Sequence, residues 1–379
     1  TLAEAYRKAG YATFATSSVP FTGRLTNLHQ GVEVLHESSS VRDVDHSFSK
    51  TSRSYVDRLT EWIEGRRDVP FFAFLHVFDP HSPFEPAAPY NSLWMDADTM
   101  AAHRQDMATV MEEIEHPFFK PQALPTREQI DRTDVDPDTY VAREKIWYDA
   151  SIRAMDVEIA RLVERLEELG LEEDTLIVVM ADHGEEFLEH GRHFHGYNAY
   201  GEMLNIPLVM WWPGVIPAGA RVPTTVQAID VLPTLLDLAR VPVPEEAQGQ
   251  SLLPLLAGDR PEALGWRRRP AFAERVHAPS AFSDDTAPIE AITVVDGQWK
   301  LIRNLALPEG RRELELYDHR NDPLNLNDVA ADHPEVVERL APLLDSWHES
   351  AKAAHIAPDA ATEDMSPEEL ERLRSLGYV

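Results

Sequence analysis

Two short apolar runs, each broken by a turn that carries an acid and a histidine, constrain this chain most. Pro70-Phe71-Phe72-Ala73-Phe74-Leu75-His76-Val77-Phe78 has the length and composition of a buried strand and stops at Asp79-Pro80-His81-Ser82-Pro83. Leu176 to Met180 repeats the pattern and feeds Ala181-Asp182-His183-Gly184, and Ile206 to Trp212 is a third run, closed by Pro213-Gly214. Between the first two lies Tyr140 to Gly170, a long helical stretch with Ile152, Met155, Ile159, Leu162 and Leu166 on one face and a terminating glycine. Strands alternating with helices of this length predict an α/β fold, a mostly parallel sheet sandwiched by helices. In such sheets ligands sit outside the carboxyl ends of the strands, which is where both Asp/His turns fall.

The flanking segments extend this frame. Thr1-Leu2-Ala3-Glu4 has the residues of a capping box and opens a helix that stops at Gly10, ahead of a strand from Tyr11 to Thr16. Tyr55 to Gly65 is amphipathic, with Val56, Leu59, Trp62 and Ile63 at helical spacing, and Ala228 to Leu238 is helical with Pro233 in its first turns. Residues 87–138 are polar and acidic with weak periodicity, an insertion over the surface or over a site. After about Pro270 the strands are short and unaccompanied by helices: Ala291 to Val295, Trp299 to Arg303 and Leu314 to Tyr317, with one helix near Pro334 to Ser346. The expected organisation is a catalytic α/β core over 1–270 and a small antiparallel α+β subdomain with a tail over 271–379.

Charge narrows the function classes. With 35 Lys+Arg against 65 Asp+Glu the formal charge is −30, which repels phosphate backbones and anionic lipid, so nucleic acid is not an expected partner. An anionic substrate would need a local positive centre such as a metal ion. There is no cysteine, hence no disulfide, thiolate metal site or Cys nucleophile within these residues. No run of about 18 apolar residues marks a membrane-spanning helix.

Asp182-His183 offers a hard oxygen and an imidazole nitrogen to one divalent cation, with Gly184 turning the chain away; a polar turn capped by Asp182 is the plainer alternative. His190, His193 and His195 crowd the next turn beside Glu189 and Arg192, as a metal or an oxyanion site would require, or as a solvated loop. His81, braced by Pro80 and Pro83, is placed to contact a substrate oxygen or serve a leaving group, with Asp79 to orient it. His76, inside the apolar run, reads as a satisfied core histidine, and Glu164 to Asp174 as a solvated helix face.

At this point the residues resemble the sulfatase family of the alkaline phosphatase superfamily. The resemblance runs in order through Thr1 to Thr13, Phe74 to Pro83, Asp174 to Glu185, Ile229 to Leu238, Leu316-Tyr317-Asp318 with Asp322-Pro323, and a tail from Leu373 to Val379. It implies hydrolysis of sulfate or phosphate esters at a divalent metal, commonly Ca2+, with Mn2+ or Zn2+ open as well. By that resemblance Asp182 and His183 are metal ligands, while His81 and His195 are catalytic, substrate-binding residues. The substrate would be a small-molecule or glycan sulfate ester, or a phosphate ester. Many sulfatases carry Asn after the metal Asp. His183 is more usual in phosphodiesterase-like and phosphonate-monoester-hydrolysing relatives.

The family's first metal carboxylates and its Cys-x-Pro-x-Arg segment, whose cysteine becomes the formylglycine nucleophile, precede the stretch matched at Thr1. That nucleophile is therefore expected outside this sequence. Ser18-Val19-Pro20 is a faint serine echo that falls after the Thr1 helix instead of before it. A non-catalytic binding module on the same fold is the alternative from another class. Family members are often exported, but no signal for any compartment is legible here, nor is an oligomeric state.

Overall fold

The computed structural model describes residues 1–19, 22–37, 49–116, 119–257, 261–275, 290–306 and 312–354. Pro20 and the tail from Leu373 to Val379 lie outside them. Thr1 caps helix α1 (Leu2–Lys8) by accepting from the Glu4 amide at 3.2 Å, and the Glu4 side chain returns to the Thr1 backbone. Strand β1 (Ala12–Ser17) pairs in parallel with β2 (Val34–Glu37) and, across helix α2 (Ser52–Glu64), with β3 (Phe71–Leu75), giving the order β2-β1-β3. Phe14, Leu59, Trp62, Ile63 and Leu166 form the core beneath this sheet.

The insertion is helical. Helices α3 (Ala97–Glu113) and α4 (Arg127–Asp131) lead into α5 (Pro137–Leu169), which Asp136 caps at 2.9 Å to the Thr139 amide and Gly170 ends at φ +68°. Val110, Ile114 and Ile130 pack on Tyr140, while Met95 and Leu124 pack on Trp147. Periodicity was weak because α3 itself buries only His103 and Val110; the other apolar anchors come from turns and short segments.

The buried face of α5 also differs from the apolar stripe read from sequence. Tyr140, Glu144, Trp147, Ser151, Ala154 and Glu158 face inward, whereas Ile152 is 36% exposed. Two buried acids turn the helix: Glu144 meets His103 Nε2 at 2.5 Å, and Glu158 bridges Arg53 at 3.0 Å and Arg161 at 2.8 Å. Buried carboxylates need such partners, and these lie on α3, on α2 and, for Arg161, on α5 itself.

Strand β4 (Ile177–Met180) is followed by the small hairpin β5 (Glu186–Phe187) and β6 (His193–Phe194), then α6 (Gly201–Leu204) and β7 (Leu208–Trp211). β4 and β7 pair antiparallel, so the parallel arrangement is confined to β2-β1-β3. The apolar runs are also less covered than expected: Phe74 is 44% and Val209 57% exposed. Helix α7 (Val231–Leu238) holds Pro233 in its first turn, as the sequence pattern requires, and α8 (Leu253–Leu256) follows.

The last sheet is antiparallel, β11-β10-β9-β8, built from β8 (Ala271–Arg275), β9 (Ala291–Asp296), β10 (Trp299–Asn304) and β11 (Leu314–Asp318). Helix α9 (Pro334–Ala353) covers it through Val336, Leu340 and Leu344 against Ile292, Val294, Leu301 and Leu316. This unit grips the first through buried polar contacts. Tyr200 Oη donates to Glu315 at 2.8 Å, and the His190 ring reaches the Asn325 carbonyl at 3.0 Å.

Candidate active site

The turns after β3 and β4 and the β5–β6 hairpin converge. His183 and His195 stack with ring centroids 4.0 Å apart, and His195 meets His81 edge-on at 5.0 Å. Phe78 stacks on His81 at 4.3 Å and Phe194 on His195 at 3.8 Å, so aromatic walls hold both imidazoles. Asp182 stands beside them, 73% exposed, with Oδ1 3.7 Å from His183 Nε2. All four site residues named from sequence therefore share one locus.

The three crowded histidines, by contrast, part company. His190 turns to Glu202 at 2.9 Å and to the Asn325 carbonyl, stacked on Tyr200. His193 is buried among Phe84, Phe187 and Tyr140, and burial pushes it down to about 3. Residues two apart share a strand face, but β6 ends at Phe194 and the chain turns at Gly196 (φ +83°), which sends His195 alone into the site.

Hydrogen bonds assign the ring tautomers. His183 Nδ1 donates to the Gly184 carbonyl at 2.7 Å and leaves Nε2 as a lone pair beside the Asp182 carboxylate. A separation of 3.7 Å lets both atoms reach one cation at the usual 2.0–2.6 Å, so this pair fits a divalent metal. Among the described residues no group of three acids or histidines completes a metal shell. Gly184 is required by packing: a Cβ there would lie 1.8 Å from the Glu202 carbonyl.

His81 Nδ1 donates to the Ser82 carbonyl at 2.9 Å, which leaves Nε2 unprotonated. Burial, then the neighbouring His195, pushes His81 down to about 3. His195 Nδ1 lies 3.1 Å from Glu185. Burial drives both toward neutrality, Glu185 up to about 8 and His195 down to about 3. The Glu185 proton then lies on this bridge and His195 presents Nε2–H, so the resting site sets a neutral donor beside a neutral acceptor.

Four contributors were not read from sequence. His76 is no core histidine: its Nδ1 accepts from the Ser18 amide at 3.4 Å, and its ring feels Asp182 and His183. Lys50 Nζ donates to the His81 and Pro83 carbonyls, staking down the turn. Gln122 of the insertion accepts from Ser82 Oγ at 2.8 Å, beside His81, and Glu185 holds His195. Asp79 does not orient His81; its carboxylate accepts from the amides of Lys50, Thr51 and Ser52 at the start of α2. Ser18 is no nucleophile, being buried with its hydroxyl donated to the His76 carbonyl at 2.5 Å.

The α/β fold thus gathers an Asp-His pair and two further imidazoles at the turns after β3 and β4 and on the β5–β6 hairpin. The sulfatase family model matches residues 1–241, and a model of the N-sulphoglucosamine sulphohydrolase C-terminal region matches 189–350. The chain belongs to the sulfatase family, whose members use a divalent metal and a formylglycine. It is 31% identical over 201 residues to arylsulfatase K of Rattus norvegicus, covering 52% of this chain and 33% of that protein. It is 28% identical over 280 residues to an endo-4-O-sulfatase of Bacteroides thetaiotaomicron, covering 72% and 50%. The chain thus spans from a third to half the length of these relatives. In fold it is similar, at TM-score 0.65 and 22% identity, to a protein solved with its substrate D-glucosamine-2-N,6-O-disulfate, covering 93% of this chain and 82% of that one. A phosphonate monoester hydrolase of Agrobacterium radiobacter gives the same score and identity, covering 93% and 80%.

Proposed function

We propose that the protein hydrolyses sulfate esters of a saccharide at a metal-assisted centre, to which this chain contributes Asp182, His183, His81 and His195. The observation that carries the reading is the contact series His183–His195–His81 beside the open Asp182 carboxylate. The sulfated sugar in the complex of one fold relative and the endo-4-O-sulfatase match support the substrate class.

When bound, the cation supplies Lewis-acid stabilisation of charge on the ester's non-bridging oxygens. Asp182 and His183 hold it through a carboxylate oxygen and Nε2; calcium is the family's common ion, and the imidazole leaves manganese or zinc open. His195 Nε2–H donates to a sulfate oxygen, oriented by Glu185. His81 Nε2 takes up a proton and returns it to the leaving oxygen, while its Nδ1–H stays on the Ser82 carbonyl. The stacked Phe78 and Phe194 rings exclude water from the two imidazoles. The nucleophile, a formylglycine, comes from outside these 379 residues, since the chain has no cysteine and Ser18 is committed to His76.

The test is a panel of aryl and glucosamine sulfates, a phosphodiester and a phosphonate monoester, assayed with the metal-loaded full-length protein. Faster turnover of sulfate esters is expected. A preference for the phosphorus esters would transfer the assignment to phosphonate or phosphodiester hydrolysis, the reading that His183 favours. Metal bound without turnover of any ester would leave a binding module.

A further inference from the structure

The C-terminal sheet carries an open cleft of about 480 Å³ into which three arginines project: Arg268 ahead of β8, Arg320 after β11 and Arg339 on α9. Asp296 ties two of them, with Oδ1 2.8 Å from Arg268 Nη2 and Oδ2 2.5 Å from Arg339 Nη1. Arg320 has no hydrogen-bond or ion-pair partner among the described residues. Among the lining residues three guanidiniums face one carboxylate, on a chain of −30. Screening limits the distant acids to about 8 Å at physiological ionic strength, so the local charge governs contact.

The cleft is built as well as charged. The β9–β10 turn holds Gly297 at φ +68°, a left-handed conformation that favours glycine, and brings the flexible end of Arg268 against it. Trp299, partly buried against the core under α9, lines the cleft beside the arginines with its ring centroid 4.8 Å from that of His333. Two further carboxylates stand nearby: Asp318 accepts from Asn321 at 2.8 Å, and Glu335 lies 3.5 Å from His333.

We propose that this cleft binds an anionic saccharide, the guanidiniums taking its sulfate or carboxylate groups and Trp299 the apolar face of a sugar ring. Guanidinium forks match the paired oxygens of such anions, and an aromatic face beside them suits a ring that is apolar on one side. The location argues for a chain-like ligand. β8 runs from the cleft to Arg275, whose Nε donates to the Gly196 carbonyl next to His195. The five residues of β8 at about 3.3 Å each put its Arg275 end, beside the proposed site, on the order of 15 Å from the end nearer the cleft. It would hold a remote part of a polymeric substrate, which rests on the glycan sulfatase reading, although binding itself does not require turnover.

The experiment uses the full-length protein and its Arg320→Ala variant, titrated with heparin, with de-sulfated heparin and with an unsulfated polyuronate. Arg312→Ala, an equal charge change at an exposed arginine paired with Asp328, is the control. Arg320→Ala should weaken heparin binding about tenfold and raise KM for the polymer alike, leaving kcat and the KM of a small aryl sulfate unchanged. Polyuronate binding that falls in parallel would identify carboxylate as a second ligand group; binding lost on de-sulfation assigns sulfate. Equal losses in Arg320→Ala and Arg312→Ala, or none in either, would overturn the proposal. Heparin binding with this pattern but no sulfate turnover would sink the sulfatase reading and leave the cleft standing.

Discussion

Asp79 is the residue whose role changed most between sequence and structure, and its replacement gives a test with a calculable size. Its buried carboxylate accepts from the Lys50 amide at 2.7 Å, Thr51 at 3.0 Å and Ser52 at 3.1 Å, the donors that open α2. Thr51 Oγ1, 3.3 Å from the same carboxylate, also accepts from the Phe78 amide at 2.7 Å, so one knot ties the end of β3 to the start of α2. Asp79→Ala strands four donors, the buried Thr51 and Ser52 amides, the Thr51 hydroxyl and the part-buried Lys50 amide. Each unmet donor costs about 1–3 kcal/mol, and water entering the space left by the carboxyl recovers part of it. The expected loss is about 3–5 kcal/mol, with roughly 2 kcal/mol for Asp79→Asn, which keeps one acceptor oxygen. Urea denaturation followed by tryptophan fluorescence reads it, because Trp62 lies buried on α2. A loss under about 1 kcal/mol for the alanine variant would refute the capping argument. A fall in turnover for Asp79→Asn while the fold is intact would restore Asp79 as a partner of His81.

Two further outcomes follow from the same reading of buried and exposed charge. Asp182→Ala should abolish metal binding in the full-length protein, measured by elemental analysis, with almost no change in stability because the carboxylate is mostly exposed and bonds only its own neighbour's amide. Lys300 is fully buried with Nζ on Asn325 Oδ1 at 2.8 Å, and burial pushes it down to about 7. The unfolded chain, with an ordinary lysine, then binds more protons between pH 7 and about 10, so stability rises with pH across that window by roughly 4 kcal/mol; below pH 7 the full cost of burying the cation is present. Lys300→Met should flatten that slope, which thermal melts at pH 7 and 9.5 would detect; an unchanged slope would place the titration elsewhere.

What was legible in the sequence is what local signals encode. Thr1 and Glu4, the glycine stop at Gly170, and the strands β9, β10 and β11 depend on residues a few positions apart, and these features appear where expected, whereas Asp136 starts α5 ahead of the Tyr140 read from sequence. Asp182, His183 and His81 were singled out because strand ends are where such folds keep ligands, and His195 by resemblance; the structure brings the four together. The rest depends on distant partners. β2 is four residues in a polar stretch, a strand only because β1 pairs with it. His76 joins the site through Ser18, and Lys50 stakes the His81 turn from 31 positions away; neither carries a local mark. His190 and His193 misled for the opposite reason, since closeness in sequence says nothing about direction once a hairpin intervenes.

Charge supplies the last step. On the proposed reading, a chain of −30 meets an anionic ester and has to offset repulsion at the point of contact, where Asp182 adds a further negative charge. His81 and His195 stay neutral, and the Lys50 ammonium is committed to backbone carbonyls. In the proposed site the cation on Asp182 and His183 would then be the main positive charge able to touch the ester, whereas the arginine cleft carries its own. Chelation should separate the two. Removing the metal is expected to eliminate binding of a small, slowly hydrolysed sulfate as well as its turnover, since the bare Asp182 repels the ligand. Heparin should still bind the chelated protein with most of its affinity, through Arg268, Arg320 and Arg339. Calorimetric titration of both ligands before and after chelation reads the difference. Retention of the small sulfate would mean that the neutral imidazoles bind the anion unaided, and the electrostatic account of this site would fail.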